Sequence, residues 1–317
     1  MEKRKSNSRG QAVTALLSIL IISAFILYVV QNRESFSVLL GIQPGGLLLI
    51  SGFSFLMILS NGIYHKIALG VLDVNLSITE WMGIPSISFI ISCFIPFRAD
   101  LMIKGVYYKE KCGLAYGRYL SFLAGGAVIT LMMDALHLAV GIAAWGVYQG
   151  SVLYGVTAVL ILCVCVLFPW ILFRYQHWFR KYVPFKKNIL PVIDGFMDIV
   201  SEKSFILACV GTLAFSNIMG IFRIYAAAQC AHVPFLFFQA VLYDWANRFS
   251  GRIMLIPGNI GVTESLTGLA GSLTGQLFQN GVMLSLLIRA VNLLTNGLVA
   301  LIFLPSFLAL IRKKREH

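Results

Sequence analysis

Charge is scarce in this chain. Only 12% of its 317 residues are charged, where a soluble domain carries about 25%. Acidic residues are scarcer still, 13 against 25 Lys and Arg. The six cysteines, Cys93, Cys112, Cys163, Cys165, Cys209 and Cys230, form no C-x-x-C pair, and most lie in apolar runs. They read as small buried residues, which excludes a zinc ribbon or a disulfide framework. There is no Walker A motif, no metal-spaced His cluster and no G-x-S-x-G. A self-contained ATP-driven pump is thereby excluded, and no catalytic residue, metal or cofactor is expected.

What the chain has instead is apolar surface. The hydrophobic residues make up 58%, with 28 Gly besides, and the mean hydropathy is +0.83. A soluble globule, a disordered chain and a disulfide-stapled module are all excluded. At about 20 residues per span plus a loop, the length suits one membrane bundle of roughly six to eight helices. The net charge of +12 would suggest nucleic acid in a soluble protein. Here the basic residues sit in short clusters beside apolar runs, so they read as positive-inside loops and contacts to anionic headgroups. No nucleic-acid partner is expected.

The sequence predicts an all-α polytopic membrane protein. Residues 1–10 are a basic N-terminus and 11–30 an uncleaved first span, too long for a signal-peptide core. Further spans are expected at 45–64, 119–146, 152–173, 204–222 and 282–310. Two apolar segments fit poorly as spans. Segment 81–97 is short and holds Pro85 and Pro96, and segment 235–278 is interrupted by PGNIG at 257–261.

Charge placement decides between two treatments. If 81–97 crossed the bilayer, the basic stretches 98–118 and 174–187 would face away from the basic N-terminus, against the positive-inside rule. If it enters and returns, both stretches become cytoplasmic loops. The basic tail at 311–317 then requires 235–278 to be a second re-entrant element from the other face. That gives about six spans, two oppositely oriented re-entrant elements, an arrangement compatible with an inverted repeat, and both termini cytoplasmic. The alternative is that Pro85 and Gly258 merely kink ordinary spans. Segment 191–203 places Ile193, Phe196, Met197 and Val200 on one face, as an interfacial amphipathic helix would.

Ionisable groups at mid-membrane cost at least about 2.5–3.5 kcal/mol each, so they are candidate site residues. Arg98 and Asp100 follow Pro96 at the tip or exit of the first hairpin. Arg98 either anchors it at the cytoplasmic face, pairs with Asp100, or offers its planar fork to a phosphate. Asp244, Arg248 and Arg252 recur every four residues, as one helix face would. PGNIG then opens a helix whose free N–H groups and dipole favour an anion. In that reading Gly258 and Gly261 allow close approach of the ligand. Glu264 caps this helix, pairs with an arginine, or binds a coupling cation. Asp134 and His137, at i and i+3, form either a proton-relay pair or a structural hydrogen-bonding group. Arg289, Asn292 and Asn296 form a polar stripe on the last helix, with Asp134 or Glu264 as partners for Arg289.

The stretch IPGNIGVTESLTGLAG followed by LLIRAVNLLTNGLVALI resembles the signature of the lysylphosphatidylglycerol synthase transmembrane region, also called the flippase-like domain. The family's P-G-x-x-G-x-x-E element and intramembrane Arg match Pro257, Gly258, Gly261, Glu264 and Arg289. Its weaker earlier element matches Pro96, Arg98 and Asp100, and the Asp of its next helix matches Asp134. The likeness runs over about 11–310. One departure is Leu131, where the family often has Arg or Lys three positions before that Asp, so no ion pair at that point can be carried over.

In the multiple peptide resistance factor this domain is fused to a soluble transferase that joins lysine to phosphatidylglycerol. The chain ends at His317, which leaves the lipid-handling half alone as the expectation, a single flippase-like domain over 1–317 in the cell membrane. The resemblance implies a translocator of a phosphate-bearing, anionic or lysyl-modified lipid, with Arg98, Asp100, Arg248, Arg252, Gly258, Gly261, Glu264 and Arg289 as substrate-binding residues. The alternative is a membrane component of lysyl-phosphatidylglycerol synthesis in cationic-peptide resistance, with a separate lipid-modifying enzyme as partner. A scaffold without a transported substrate is a third class. The sequence does not set the oligomeric state.

Overall fold

The computed structural model describes residues 37–95, 98–175, 186–253 and 257–315, with residues 27, 30 and 31. The expected first span therefore lies almost wholly outside the described residues, as do Pro96 and residues 176–185 of the basic stretch 174–187. Ten α-helices and no strand occur among the described residues. In chain order they are α1 (Pro44–Gly70), α2 (Ile78–Phe94), α3 (Ala99–Cys112), α4 (Tyr116–Gln149), α5 (Val152–Arg174), α6 (Lys186–Ser201), α7 (Lys203–Cys230), α8 (Phe237–Ser250), α9 (Val262–Leu273) and α10 (Phe278–Arg315).

Four are long and apolar enough to cross a membrane, namely α1, α4, α7 and α10 over Phe278–Phe303. Each meets a span expected from the sequence, and α5 follows the expected 152–173. The outward side chains of α5 are apolar, with Val152, Leu153, Val156, Val159, Leu160 and Val164 all exposed. A water-facing helix would carry polar groups there, whereas lipid tails need none.

The two awkward segments fold as helical hairpins. Ile78–Phe94 is one continuous helix despite Pro85. The chain turns after it, at Arg98, whose backbone is left-handed at φ 54°. The return arm is α3. The basic stretch read as a cytoplasmic loop from 98 is thus mostly helix, and Lys104 is buried inside the bundle. Seventeen residues of α2 extend about 26 Å at 1.5 Å per residue, too short for entry and return within 81–97. The polar look of ADLMIKGVYYKEKC hid the second arm.

Each hairpin is clamped at its base. Glu80, in the first turn of α2, accepts hydrogen bonds from Tyr107 Oη at 2.9 Å and Lys111 Nζ at 2.6 Å, both late in α3. The same carboxylate accepts from the Ser77 amide at 2.8 Å and hydroxyl at 2.6 Å, an N-terminal capping interaction. In the second hairpin, Gln239 at the start of α8 donates to the Thr274 carbonyl at 2.8 Å, just past the end of α9. Start meets end in both pairs, so the arms are antiparallel.

The hairpins approach from opposite ends of the bundle. Helices α1 and α7 are antiparallel, since Phe53 stacks on Phe222 while Ser60 donates to the Thr212 carbonyl. Each is followed by a hairpin, so the two hairpin bases lie at opposite ends. The apices meet between them, where a Cβ on Gly258 would come within 3.3 Å of the Cys93 carbonyl. The first hairpin also packs on the last helix, with Gly83 against Phe303, and the second packs on α4, with Gly141 against Leu242.

Two apolar cores support these elements. One joins Leu69, Tyr108, Phe122 and Phe205 around the first hairpin. The other joins Ile224, Tyr243, Leu284 and Ile288 around the second. Helix α6 packs on α4, where a Cβ on Gly195 would be 2.5 Å from Ser121 Oγ. It buries Ile199 in the first core, with Val200 beside it.

Candidate functional site

The polar side chains collect between the two cores. A cavity of about 730 Å³ is lined by α1, α2, α3, α4 and the turn after α8, with Asn61, His65, Arg98, Asp100, Lys104 and Arg252 among its walls. A second cavity of about 290 Å³ shares Asn61, Tyr64, Pro85, Phe89, Leu213 and Arg252 with the first. Its other walls carry Arg223, Arg248, Asn292 and Asn296. The two volumes adjoin along these shared walls as one polar region that reaches the first apex and the turn after α8.

Arg98 and Asp100 stand together at the first apex, 3.3 Å apart, and Lys104 Nζ lies 3.9 Å from the same carboxylate. The spacing that suggested one face for Asp244, Arg248 and Arg252 holds only for the first two. Arg248 Nε donates to Asp244 Oδ2 at 2.5 Å. Helix α8 ends at Ser250, so Arg252 sits in the following turn and crosses to α4. There it grips Asp134 with two bonds, at 3.0 and 3.2 Å. The partner of Asp134 thus comes from the second hairpin and not from α4 itself.

Asp134 and His137 do not pair. With Asp134 held by Arg252, the carboxylate nearest His137 is Asp244 Oδ2, 4.0 Å from Nδ1. Neither ring nitrogen of His137 has a hydrogen-bond partner among the described residues. Asp244 is fully buried and also lies 3.8 Å from Arg223 Nη2. Gly220 makes this possible, because a Cβ there would collide with the Asp244 carboxylate and come within 2.5 Å of Arg248 Nη2.

The glycine break is built as a brace. Gly258, Asn259 and Gly261 all have positive φ, at 60°, 55° and 85°, a backbone that glycine adopts without steric cost. The Glu264 carboxylate accepts from the Gly261 amide at 2.7 Å. The helix start that could hold a ligand anion is thus met by the protein's own carboxylate. Arg289 donates to Glu264 Oε1 from Nε at 2.9 Å and Nη2 at 2.6 Å. Its Nη1 donates to the Gly258 carbonyl. Arg289 therefore ties α10 to the second apex, with Glu264 as its partner and not Asp134. Gly258, Gly261, Glu264 and Arg289 form this brace and line neither polar cavity.

Lys104 and Arg223 line the polar region and were not singled out as binding residues from sequence. Arg223 carried a usable signal, as an arginine inside a 28-residue apolar helix. Lys104 carried none, because its segment looked like a loop. Among the described residues no group of three or more His, Cys, Asp or Glu is placed to hold a metal ion.

One apolar feature adjoins the polar region. A groove of about 390 Å³ between α4 and α5 is lined by Val128, Leu131, Met132, Leu160, Ile161 and Val164, among others. Leu131 lines both this groove and the larger polar cavity. The family model described as Lysylphosphatidylglycerol synthase TM region matches residues 15–300. No curated protein matches the chain.

Proposed function

We propose a lipid-translocating function from one premise: this chain belongs to the lysylphosphatidylglycerol synthase TM region family, so its membrane role is in lipid handling. The chain moves a phosphate-bearing lipid between leaflets of the cell membrane. The observation that carries this reading is the junction at Leu131, where a cationic cavity meets an apolar groove. An amphiphile fits that junction, with its headgroup in the cavity and a tail in the groove. Arg98, Lys104, Arg252, Arg248 and Arg223 screen the phosphate. Asp100, Asp134 and Asp244 hold those cations in place when no lipid is bound.

The hairpins enter the bilayer from opposite faces and return, and irregular backbone is tolerated because it borders the polar cavity at the first apex and is held by Glu264 and Arg289 at the second. Six crossings result, counting the segment at 11–30. The hairpin base formed by the start of α2 and the end of α3, the C-terminal end of α5 and the C-terminal end of α10 lie at one end of the bundle. That end is cytoplasmic by the positive-inside rule.

The test is a leaflet-resolved assay in proteoliposomes with fluorescent phosphatidylglycerol. Protein-dependent loss of the dye from reduction-accessible leaflets is expected. It should fall at least tenfold in Arg98→Gln, since a charge-assisted hydrogen bond contributes about 1.5–3 kcal/mol. The family's name supports a second reading, a membrane component of lysyl-phosphatidylglycerol synthesis with catalysis on another chain. That reading stands if the pure chain moves no lipid but raises lysyl-lipid output when a transferase is co-expressed.

A further inference from the structure

Resting on the translocator reading, we propose that the headgroup is a terminal phosphomonoester with two negative charges, and not an amine-bearing headgroup such as a lysyl ester. The argument is the charge of the polar region. Five basic side chains line it, Arg98, Lys104, Arg223, Arg248 and Arg252. Three carboxylates answer them. Asp100 lies 3.3 Å from Arg98 and 3.9 Å from Lys104. Asp244 lies 2.5 Å from Arg248 and 3.8 Å from Arg223. Asp134 serves Arg252 alone at 3.0 Å. Two of the three carboxylates each serve two cations, which leaves an excess of two positive charges.

Four of the five cations are arginines, which keep their charge in proteins. Lys104 is the one member able to shed a proton, so the region stays positive even then. Two uncompensated charges at membrane depth are costly, and a ligand dianion offsets both. A phosphomonoester carries about −1.5 to −2 near pH 7 and three acceptor oxygens. Donors are in place for them, since among the described residues Arg98 meets Asp100 through Nε, which leaves its Nη groups to donate to a ligand. A phosphodiester balances one of the two charges. A lysyl ester of phosphatidylglycerol sets two ammonium groups against one phosphate, so it brings net positive charge into a positive cavity.

Charge does not select the tail, which is acyl or prenyl. The test uses the full chain purified in a neutral detergent and reads thermal stabilisation by short-chain lipids. The probes are dioctanoyl phosphatidic acid, farnesyl phosphate, dioctanoyl phosphatidylglycerol and dioctanoyl lysyl-phosphatidylglycerol. At least one phosphomonoester is expected to bind tenfold or more tighter than phosphatidylglycerol, with the lysyl lipid weakest. The better of phosphatidic acid and farnesyl phosphate identifies the tail class. The preference should shrink as pH falls below about 6, where the monoester loses its second charge. It should also collapse to within twofold in Arg98→Gln/Lys104→Gln, a variant whose melting temperature without lipid checks its fold. Equal or tighter binding of the lysyl lipid, or no preference for the monoesters over phosphatidylglycerol, overturns the inference. If phosphatidylglycerol is still translocated in proteoliposomes, that result leaves the translocator reading standing.

Discussion

An arginine inside a membrane bundle needs a reason to be there, and the arginines of this chain have different ones. Arg289 is committed to protein atoms, with Glu264 on one side and the Gly258 carbonyl on the other. Arg289→Ala leaves the buried Glu264 unpaired, which costs about 3–5 kcal/mol. A loss that size is a large part of a typical stability of roughly 5–15 kcal/mol. Membrane abundance and melting temperature are therefore expected to drop with activity. Arg289→Met/Glu264→Met, which removes both charges, should recover most of the abundance. Arg98 and Arg252 differ, since each has a side chain 36% exposed and lines a cavity. Leu131 offers a test of the junction without touching any charge. It is half exposed, so Leu131→Trp should leave stability within about 0.5 kcal/mol of wild type. It should still lower translocation severalfold by filling the seam between cavity and groove, as expression and transport assays run together will measure.

At the scale of elements, the hairpins depend on turns that few residues can make. Gly261 has φ 85° immediately before α9, and a β-branched residue there is strained by about 1–3 kcal/mol. Gly261→Val is expected to lower abundance and lipid movement together, because it breaks the brace that sets the second apex. If transport is lost at unchanged abundance, the glycine serves a ligand directly and the brace account is wrong. The first apex turns on Arg98 and not on glycine. A left-handed arginine is uncommon, and Pro96, two positions earlier, is the local sequence signal of a break there. The second arm resembles a loop in sequence because ADLMIKGVYYKEKC is polar, while Pro85 is accommodated within a continuous helix.

At the scale of the whole molecule, the two halves repeat one plan in opposite orientation: a long helix, a hairpin and a long helix. The sequence alone carries no identity between them. The topology can be checked by single-cysteine labelling after the six native cysteines are replaced. Gln149→Cys, at the end of α4, should react with an impermeant maleimide added outside cells. Glu110→Cys, near the base of the first hairpin, should react only in inverted vesicles. Labelling of Glu110→Cys from outside would refute the orientation and the re-entrant topology together.

The sequence by itself determined the solvent. A chain with 12% charge and runs long enough to span can bury its surface only in lipid, so the membrane class, the long helices α1, α4, α7 and α10, and the PGNIG break were all legible. It also marked Asp134, Glu264, Arg252 and Arg289 as costly residues needing partners, because burial of charge is unfavourable wherever it occurs. Only the tertiary structure decided which partner each took. Arg252 and Asp134 are separated by 118 positions and Arg289 and Glu264 by 25. Such pairings depend on how the hairpins insert between the halves, and a local pattern holds no record of that. The same insertion turned Lys104 from a loop residue into a cavity wall, since beyond Asp100 on its own helix the walls around it come from α1, α4 and the turn after α8.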